Sequence, residues 1–299
     1  MPELVQIGSP GPRLPEFLRK GATHFESLTA LKRDLRAHDL HTVCESARCP
    51  NIHECFHRGA ATFMILGNLC TRGCTFCSVP KFNPRKQDSP LDPDEPANVA
   101  RMAAKMNLRY VVITSVNRDD LADGGSTHFA QTVREVRAAL PNAHVEVLTP
   151  DFDGNLDAVA RVLDAGPHVF NHNMETIARL YRSVRPQANY RQSLDVLRFA
   201  KRYRPDALTK SGLMVGLGEK HEEVRTLLDD LRTVETDIAT IGQYLQPTRR
   251  NRRASRHVPP EEYERWRDFG LSIGFRDVFA GPFVRSSYMA DLVHDSAQT

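Results

Sequence analysis

Between residues 61 and 283 the chain alternates short runs rich in β-branched and aromatic residues with longer amphipathic stretches. That alternation restricts the fold more than any other feature. Strands are expected over 61–67, 110–116, 144–149, 168–173, 209–217, 237–246 and 277–283. Helical patterns fall between them, over 96–106, 128–140, 156–164, 193–203, 222–234 and 260–271. Successive parallel strands need a long crossover, usually a helix, so the pattern implies an α/β fold with a parallel sheet. Six or seven such units predict a full or partial (β/α) barrel of TIM-like type, whose active site is built by the loops after the strand C-termini. Polar residues collect at those exits: Asn117, Arg118 and Asp119; Asp151; Asn171, Asn173 and Glu175; Gln243 and Gln246. Each alone is explained as a turn former or helix cap, so their collective placement is the more informative fact.

Before the barrel, a proline- and glycine-rich arm over residues 1–30 has little core of its own, and a helical stretch over 28–36 follows. Apolar content of 40% and charged content of 26% are those of an ordinary soluble globular protein. No run of 18 apolar residues exists, which excludes a transmembrane helix. The first residues lack the apolar segment of a signal peptide, so a cytoplasmic protein that does not engage membranes is expected. A net charge of +3 argues against a dedicated nucleic-acid binder, although RRNRRASR at 249–256 concentrates basic residues locally.

All six cysteines lie between Cys44 and Cys77, as two triplets: Cys44-x4-Cys49-x5-Cys55 and Cys70-x3-Cys74-x2-Cys77. In a reducing compartment clustered cysteines bind metal more often than they pair, and thiolates suit iron–sulfur clusters, zinc or copper(I). Cys70 stands three residues past the first expected barrel strand, where chemistry is expected. Three thiolates on a four-iron cluster leave one iron open, as catalytic zinc sites leave one position open. The competing account is structural zinc completed by His41, His53 or His57. Zinc sites more often use paired Cys-x2-Cys hooks, of which the second triplet has one.

The spacing of the second triplet, with Phe76 before its last cysteine, resembles the radical S-adenosylmethionine (SAM) superfamily. Taken with the first triplet and the tail Arg285-Ser286-Ser287-Tyr288, the chain resembles the lipoyl synthase family. CESARCPNIHEC, CTRGCTFC, SVNRDDLADGG, VEVLTPDF, FNHNMET, TKSGLMVGLGE, IGQYLQPT and RSSY stand in the family's order and cover nearly the whole chain. The resemblance implies a radical SAM partial barrel over residues 60–283. An arm and auxiliary-cluster segment over 1–59 would precede it, and a tail over 284–299 would follow.

It further implies two [4Fe–4S] clusters. Cys70, Cys74 and Cys77 would hold the one that binds SAM and cleaves it to a 5′-deoxyadenosyl radical. Cys44, Cys49, Cys55 and Ser287 would hold an auxiliary cluster consumed as the sulfur source. Serine oxygen is a poorer ligand for cluster iron than thiolate, which suits a cluster that must come apart. Phe76 is a candidate wall beside the adenine, and Asn117, Asn171 and Glu175 are candidate SAM contacts by position. The implied reaction inserts sulfur at C6 and C8 of a protein-bound octanoyl-lysine, with two SAM molecules used per lipoyl group. Implied partners are octanoylated lipoyl carrier domains (2-oxoacid dehydrogenase E2 subunits and the glycine cleavage H protein), a ferredoxin or flavodoxin as electron donor, and an iron–sulfur carrier that rebuilds the auxiliary cluster.

Three positions depart from the family pattern: Asp153 where arginine is common, Thr75 where a basic residue or proline is common, and the arginine run after QYLQPT. Arg249, Arg250, Arg252 and Arg253 are expected either to steer an acidic carrier protein or simply to form a solvated loop. Two rivals remain at this point: another radical SAM enzyme with an auxiliary cluster, and a zinc-stabilised nucleic-acid-binding module.

Overall fold

A computed structural model describes residues 15–18, 33, 35, 40–42 and 51–287. Eight strands form one sheet in sequence order: β1 (His41–Thr42), β2 (Ala60–Ile65), β3 (Tyr110–Ser115), β4 (His144–Leu148), β5 (Val169–Asn171), β6 (Leu208–Val215), β7 (Ile238–Gln243) and β8 (Asp277–Gly281). β2 to β8 run parallel and β1 pairs antiparallel with β2. Among the described residues β8 does not pair back onto β1 or β2, so the barrel is partial.

The helices are α1 (Ile52–His57), α2 (Glu95–Lys105), α3 (Ser126–Ala139), α4 (Leu156–Asp164), α5 (Tyr181–Val184), α6 (Tyr190–Tyr203), α7 (His221–Thr233) and α8 (Pro260–Ser272). Every barrel strand expected from the sequence is present, shortened at one or both ends. Each ends one to three residues before the expected boundary, where the parallel ladder stops. Two short helices, α1 and α5, lack the length to show a period. The helix expected over 28–36 lies largely outside the described residues. None of the described helices is long and apolar enough to cross a membrane.

β2 and β7 are buried at all six positions, so neither shows the apolar–polar alternation of a strand with one face in water. α4 buries Ala158, Val159, Val162 and Leu163, an i, i+1, i+4, i+5 stripe, and Asn155 caps it by accepting from Ala158 N at 3.2 Å. One apolar core lies under the first half of the barrel, around Phe63, Phe129 and Phe170. A second lies under the other half, around Trp266, Tyr263 and Leu228.

The barrel interior is partly ionic. Lys210 Nζ lies 3.0 Å from Glu146 Oε2, and both side chains are fully buried. Glu146 also accepts from Tyr110 Oη and Asn171 Nδ2, each at 2.8 Å. With its oxygens shared among three donors this carboxylate is well satisfied, as a buried charge must be.

Candidate active site

The turn that leaves β2 points the second cysteine triplet across the barrel mouth. Leu66 and Gly67 both take left-handed backbone. Their amides donate to the buried Glu95 carboxylate of α2, at 2.8 and 3.4 Å. His128 Nε2 holds that carboxylate from the far side at 2.7 Å. The cysteine loop is then tied down along its length. Thr71 N donates to Asn117 O at 3.0 Å, Thr75 N to Val184 O at 2.9 Å, and Arg252 N to Thr75 O at 2.9 Å. Asn251 Nδ2 reaches Cys77 O at 2.8 Å. Backbone held from three directions fixes where the thiols point.

Cys70, Cys74 and Cys77 line one cavity with Phe76, Asn117, Asn173, Glu175 and Arg185. Burial pushes the Cys77 thiol up to about 11, helped by the nearby Cys74 and Cys70 sulfurs. Burial also raises the Cys74 thiol, against the opposing charge of Arg185. Thiolates at Cys74 and Cys77 are therefore unfavourable alone and call for a cationic centre beside them, which cluster iron would supply. Four polar atoms of the same cavity, Ser115 Oγ, Thr149 Oγ1, Asn173 Oδ1 and Arg185 Nε, are buried with no hydrogen-bond partner among the described residues. Orphaned donors and acceptors around a thiol-lined cavity fit a polar ligand beside a cluster, as SAM would be.

The other predicted site residues fall as follows. Phe76 is half-buried, with its side chain packed against the second core. Asn117 N lies 3.4 Å from Cys70 Sγ. Glu175 has left-handed backbone (φ 63°), and its carboxylate accepts from Asn173 Nδ2 at 3.0 Å. Burial raises its pKa, with Arg185 and Asn173 opposing. Asn171 lies deeper: it is fully buried, bonded to Glu146, and is not among the cavity-lining residues.

Cys55 sits half-buried in α1. Cys44 and Cys49 lie outside the described residues. Ser287 is half-buried in a turn. Its neighbour Ser286 accepts from Asn173 Nδ2 at 2.7 Å, which brings the tail to the cavity lip. Asn51, just before α1, donates to Phe283 O at 2.6 Å, which brings the start of the Cys55 helix to the residue before the tail.

Several residues of the site were not singled out in the sequence. Arg72, between Cys70 and Cys74, is buried and pairs with Asp119 at 2.8 Å and Asp151 at 2.7 Å. Arg185 donates to Asn173 O, Met174 O and Tyr181 Oη. His172 lies fully buried between Thr149 O at 2.9 Å and Ser193 Oγ at 3.1 Å. Glu219 accepts from the amides of Gly216 and Leu217, fixing the turn after β6. A basic residue between two cysteines was the one local signal available, and it pointed to Arg72.

A larger groove, about 750 Å³, lies outside the cysteine loop and shares Cys77, Val79 and Lys81 with the cavity. It contains a single cysteine, so the chemistry is assigned to the inner cavity. Arg250 and Arg252 line it. Arg249, Arg250 and Arg253 are exposed, whereas Arg252 donates to Leu217 O at 3.1 Å. Asp153 is exposed, in left-handed backbone of the turn after β4, so its departure from the family pattern changes the charge of the surface there.

The family model of the radical SAM superfamily matches residues 64–231. A lipoyl synthase of Haemophilus ducreyi is 51% identical over 280 residues, covering 93% of this chain and 84% of that protein. Those of Thermus thermophilus and Rubrobacter xylanophilus are 53% and 54% identical, covering 90% and 92% of this chain and 82% and 85% of theirs. Among solved structures, HydG, a maturase of the [FeFe]-hydrogenase, superposes with a TM-score of 0.52 at 12% identity, covering 92% of this chain and 68% of its own. SuiB of Streptococcus suis bound to S-adenosylmethionine superposes with a TM-score of 0.51 at 10% identity, covering 83% and 53%. At such identities these two bear on the fold alone.

Proposed function

The chain belongs to the lipoyl synthase family of radical SAM enzymes, and from that premise we propose which of its residues carry the reaction. It is a sulfurtransferase that inserts two sulfur atoms into the octanoyl chain of a lipoyl carrier protein, using SAM and two [4Fe–4S] clusters. When bound, the radical cluster supplies the electron that cleaves SAM, and the auxiliary cluster supplies sulfur.

In our reading Cys70, Cys74 and Cys77 hold the radical cluster, and Cys44, Cys49, Cys55 and Ser287 hold the auxiliary one. Arg72 and its two aspartates fix the loop between the first two thiols. Glu175, Asn173 and Arg185 orient a polar ligand within the cavity, while Phe76 and Met64 keep that space dry. Asn117 contributes through its backbone, and Asn171 acts from beneath, by holding Glu146. The division we propose is an arm and auxiliary-cluster segment over residues 1–59, a radical SAM barrel over 60–283 and a tail over 284–299. The finer partners proposed are E2 and H-protein carrier domains, a ferredoxin or flavodoxin, and an iron–sulfur carrier. A cytoplasmic location accords with thiol ligands that must stay reduced.

One observation carries the site assignment. The Asn173–Ser286 hydrogen bond sets the tail at the lip of the same cavity that the second triplet lines. The test separates the two triplets. Cys74→Ala should abolish 5′-deoxyadenosine formation. Cys49→Ala should still release it while giving no lipoyl product. SAM cleavage at the wild-type rate by Cys74→Ala, or lipoyl product from Cys49→Ala, would refute the corresponding half.

A further inference from the structure

The start of the tail, Val284 to Ser286, lies in a slot in the barrel wall where two side chains are missing. Built onto Gly242, a Cβ would stand 2.1 Å from Val284 O and 3.0 Å from its carbonyl carbon. On Gly212 it would stand 2.7 Å from Thr240 Oγ1 and 2.8 Å from both Asn173 Oδ1 and Ser286 Oγ. Neither glycine has left-handed backbone, so space rather than conformation calls for them. In the β6–β7 pairing Gly212 faces Thr240 and Met214 faces Gly242. The two glycines are thus diagonal neighbours on one face of the sheet, because side chains two apart on a strand share a face. Three bonds then pin the segment laid across them. Asn51 Nδ2 holds Phe283 O at 2.6 Å, Asn173 Nδ2 holds Ser286 Oγ at 2.7 Å, and Arg285 Nη1 folds back onto Val284 O at 2.6 Å.

We propose that Gly212, Gly242 and Asn173 are positioning residues, forming a seat that sets the register of Val284–Ser286 and thereby decides which serine hydroxyl is offered to the auxiliary cluster. The inference rests on the reading of Ser287 as a ligand. Two serines stand side by side in this tail, chemically equivalent as donors. A slip of one residue moves the chain by roughly 3.3–3.6 Å, enough to exchange one hydroxyl for the other. With Ser286 held by Asn173, Ser287 is the one left to point elsewhere. Asn173 also contacts Glu175, so the amide that seats the tail belongs to the wall of the cavity itself.

The test compares Gly242→Ala with Gly281→Ala in the full chain carrying both clusters. A Cβ on Gly281 meets only Val284 Cγ2, at 3.5 Å, an ordinary contact beside the same tail. Overpacking at Gly242 should lift the tail and speed tryptic cleavage after Arg285 about tenfold. That cleavage is followed by mass spectrometry of the fragment beginning at Ser286. The Mössbauer signature of the auxiliary cluster should shift to that of Ser287→Ala. Gly281→Ala should match wild type in both measurements. Gly212→Ala, acting from the neighbouring strand, should reproduce Gly242→Ala and stands in for it if that variant folds poorly.

Wild-type cleavage in folded Gly242→Ala and Gly212→Ala would overturn the seat. Faster cleavage with an unchanged cluster signature would overturn its role in placing the ligand. A wild-type signature in Ser287→Ala, with the cleavage difference intact, would overturn the ligand reading instead.

Discussion

Replacing Arg72 with methionine should destabilise the protein by about 2–4 kcal/mol. Methionine keeps much of the length and removes the charge. It leaves the Asp151 carboxylate, fully buried, with the Asp153 amide at 3.1 Å as its one remaining hydrogen-bond donor among the described residues. Asp119 is one-third exposed and contributes less, under about 1 kcal/mol. Two routes lead to the magnitude. Breaking a buried pair by removing one partner typically costs about 3–5 kcal/mol, less what relaxation recovers. Independently, burial raises the Asp151 carboxyl, yet the Arg72 hydrogen bond and charge overcome it and hold the group at about 2, against an ordinary 3.8. That difference corresponds to roughly 2 kcal/mol. The sign follows: Asp151 is more acidic folded than unfolded, so its contribution is complete above about pH 4 and fades as pH falls towards 2. The assay is urea denaturation of the cluster-free full chain, followed by circular dichroism, for Arg72→Met, Asp151→Asn and the double variant. A coupling energy near 2 kcal/mol at pH 7, shrinking towards pH 3, is expected. Coupling below about 0.5 kcal/mol, or a gap that ignores pH, would refute the reasoning.

Ser287→Cys should yield an auxiliary cluster that resists disassembly and Ser287→Ala one with an exposed iron, both cleaving SAM but deficient in lipoyl product. Normal product from Ser287→Ala with failure of Ser286→Ala would mean that the wrong serine was chosen. Converting Arg249, Arg250 and Arg253 together to Gln, while sparing the structural Arg252, should slow association with an acidic carrier domain and weaken its salt dependence. Turnover of a short octanoyl-lysine peptide should change little, and an unchanged on-rate at low salt would favour a merely solvated loop. His172 is held neutral down to about pH 4, chiefly by burial and then by Arg185. Its folded value lies below the ordinary 6.5, so stability present above pH 6.5 should fall by about 3 kcal/mol as pH drops to 4. In His172→Asn the slope of urea midpoints between those pH values should flatten, and an unaltered slope would contradict the assignment.

What was legible in the chain depended on how local the signal was. The strand and helix order could be read because burial repeats along each element, as in the fully buried β2 and the α4 stripe. The second triplet could be placed at a strand exit because eight residues hold all three thiols within one loop. Asn171 shows the limit. Its position at the end of β5 matched a cavity residue, yet its side chain turned inward to a carboxylate that the spacing gave no reason to connect with it. Arg185 gave no signal at all, since its partners are mostly backbone carbonyls.

By itself, the sequence determined the α/β class, the two three-thiol sets and the family, because each is written in spacings of a few residues. The tertiary structure alone decided which polar groups meet. Arg72 finds Asp151 79 positions away, and Asn173 finds Ser286 across 113. Gly212 and Gly242 look like any strand glycines until the tail is laid over them. Periodicity records whether a side chain is buried, a property of one residue and its own helix or strand. Partner identity depends on how separate segments pack, and no local pattern encodes that.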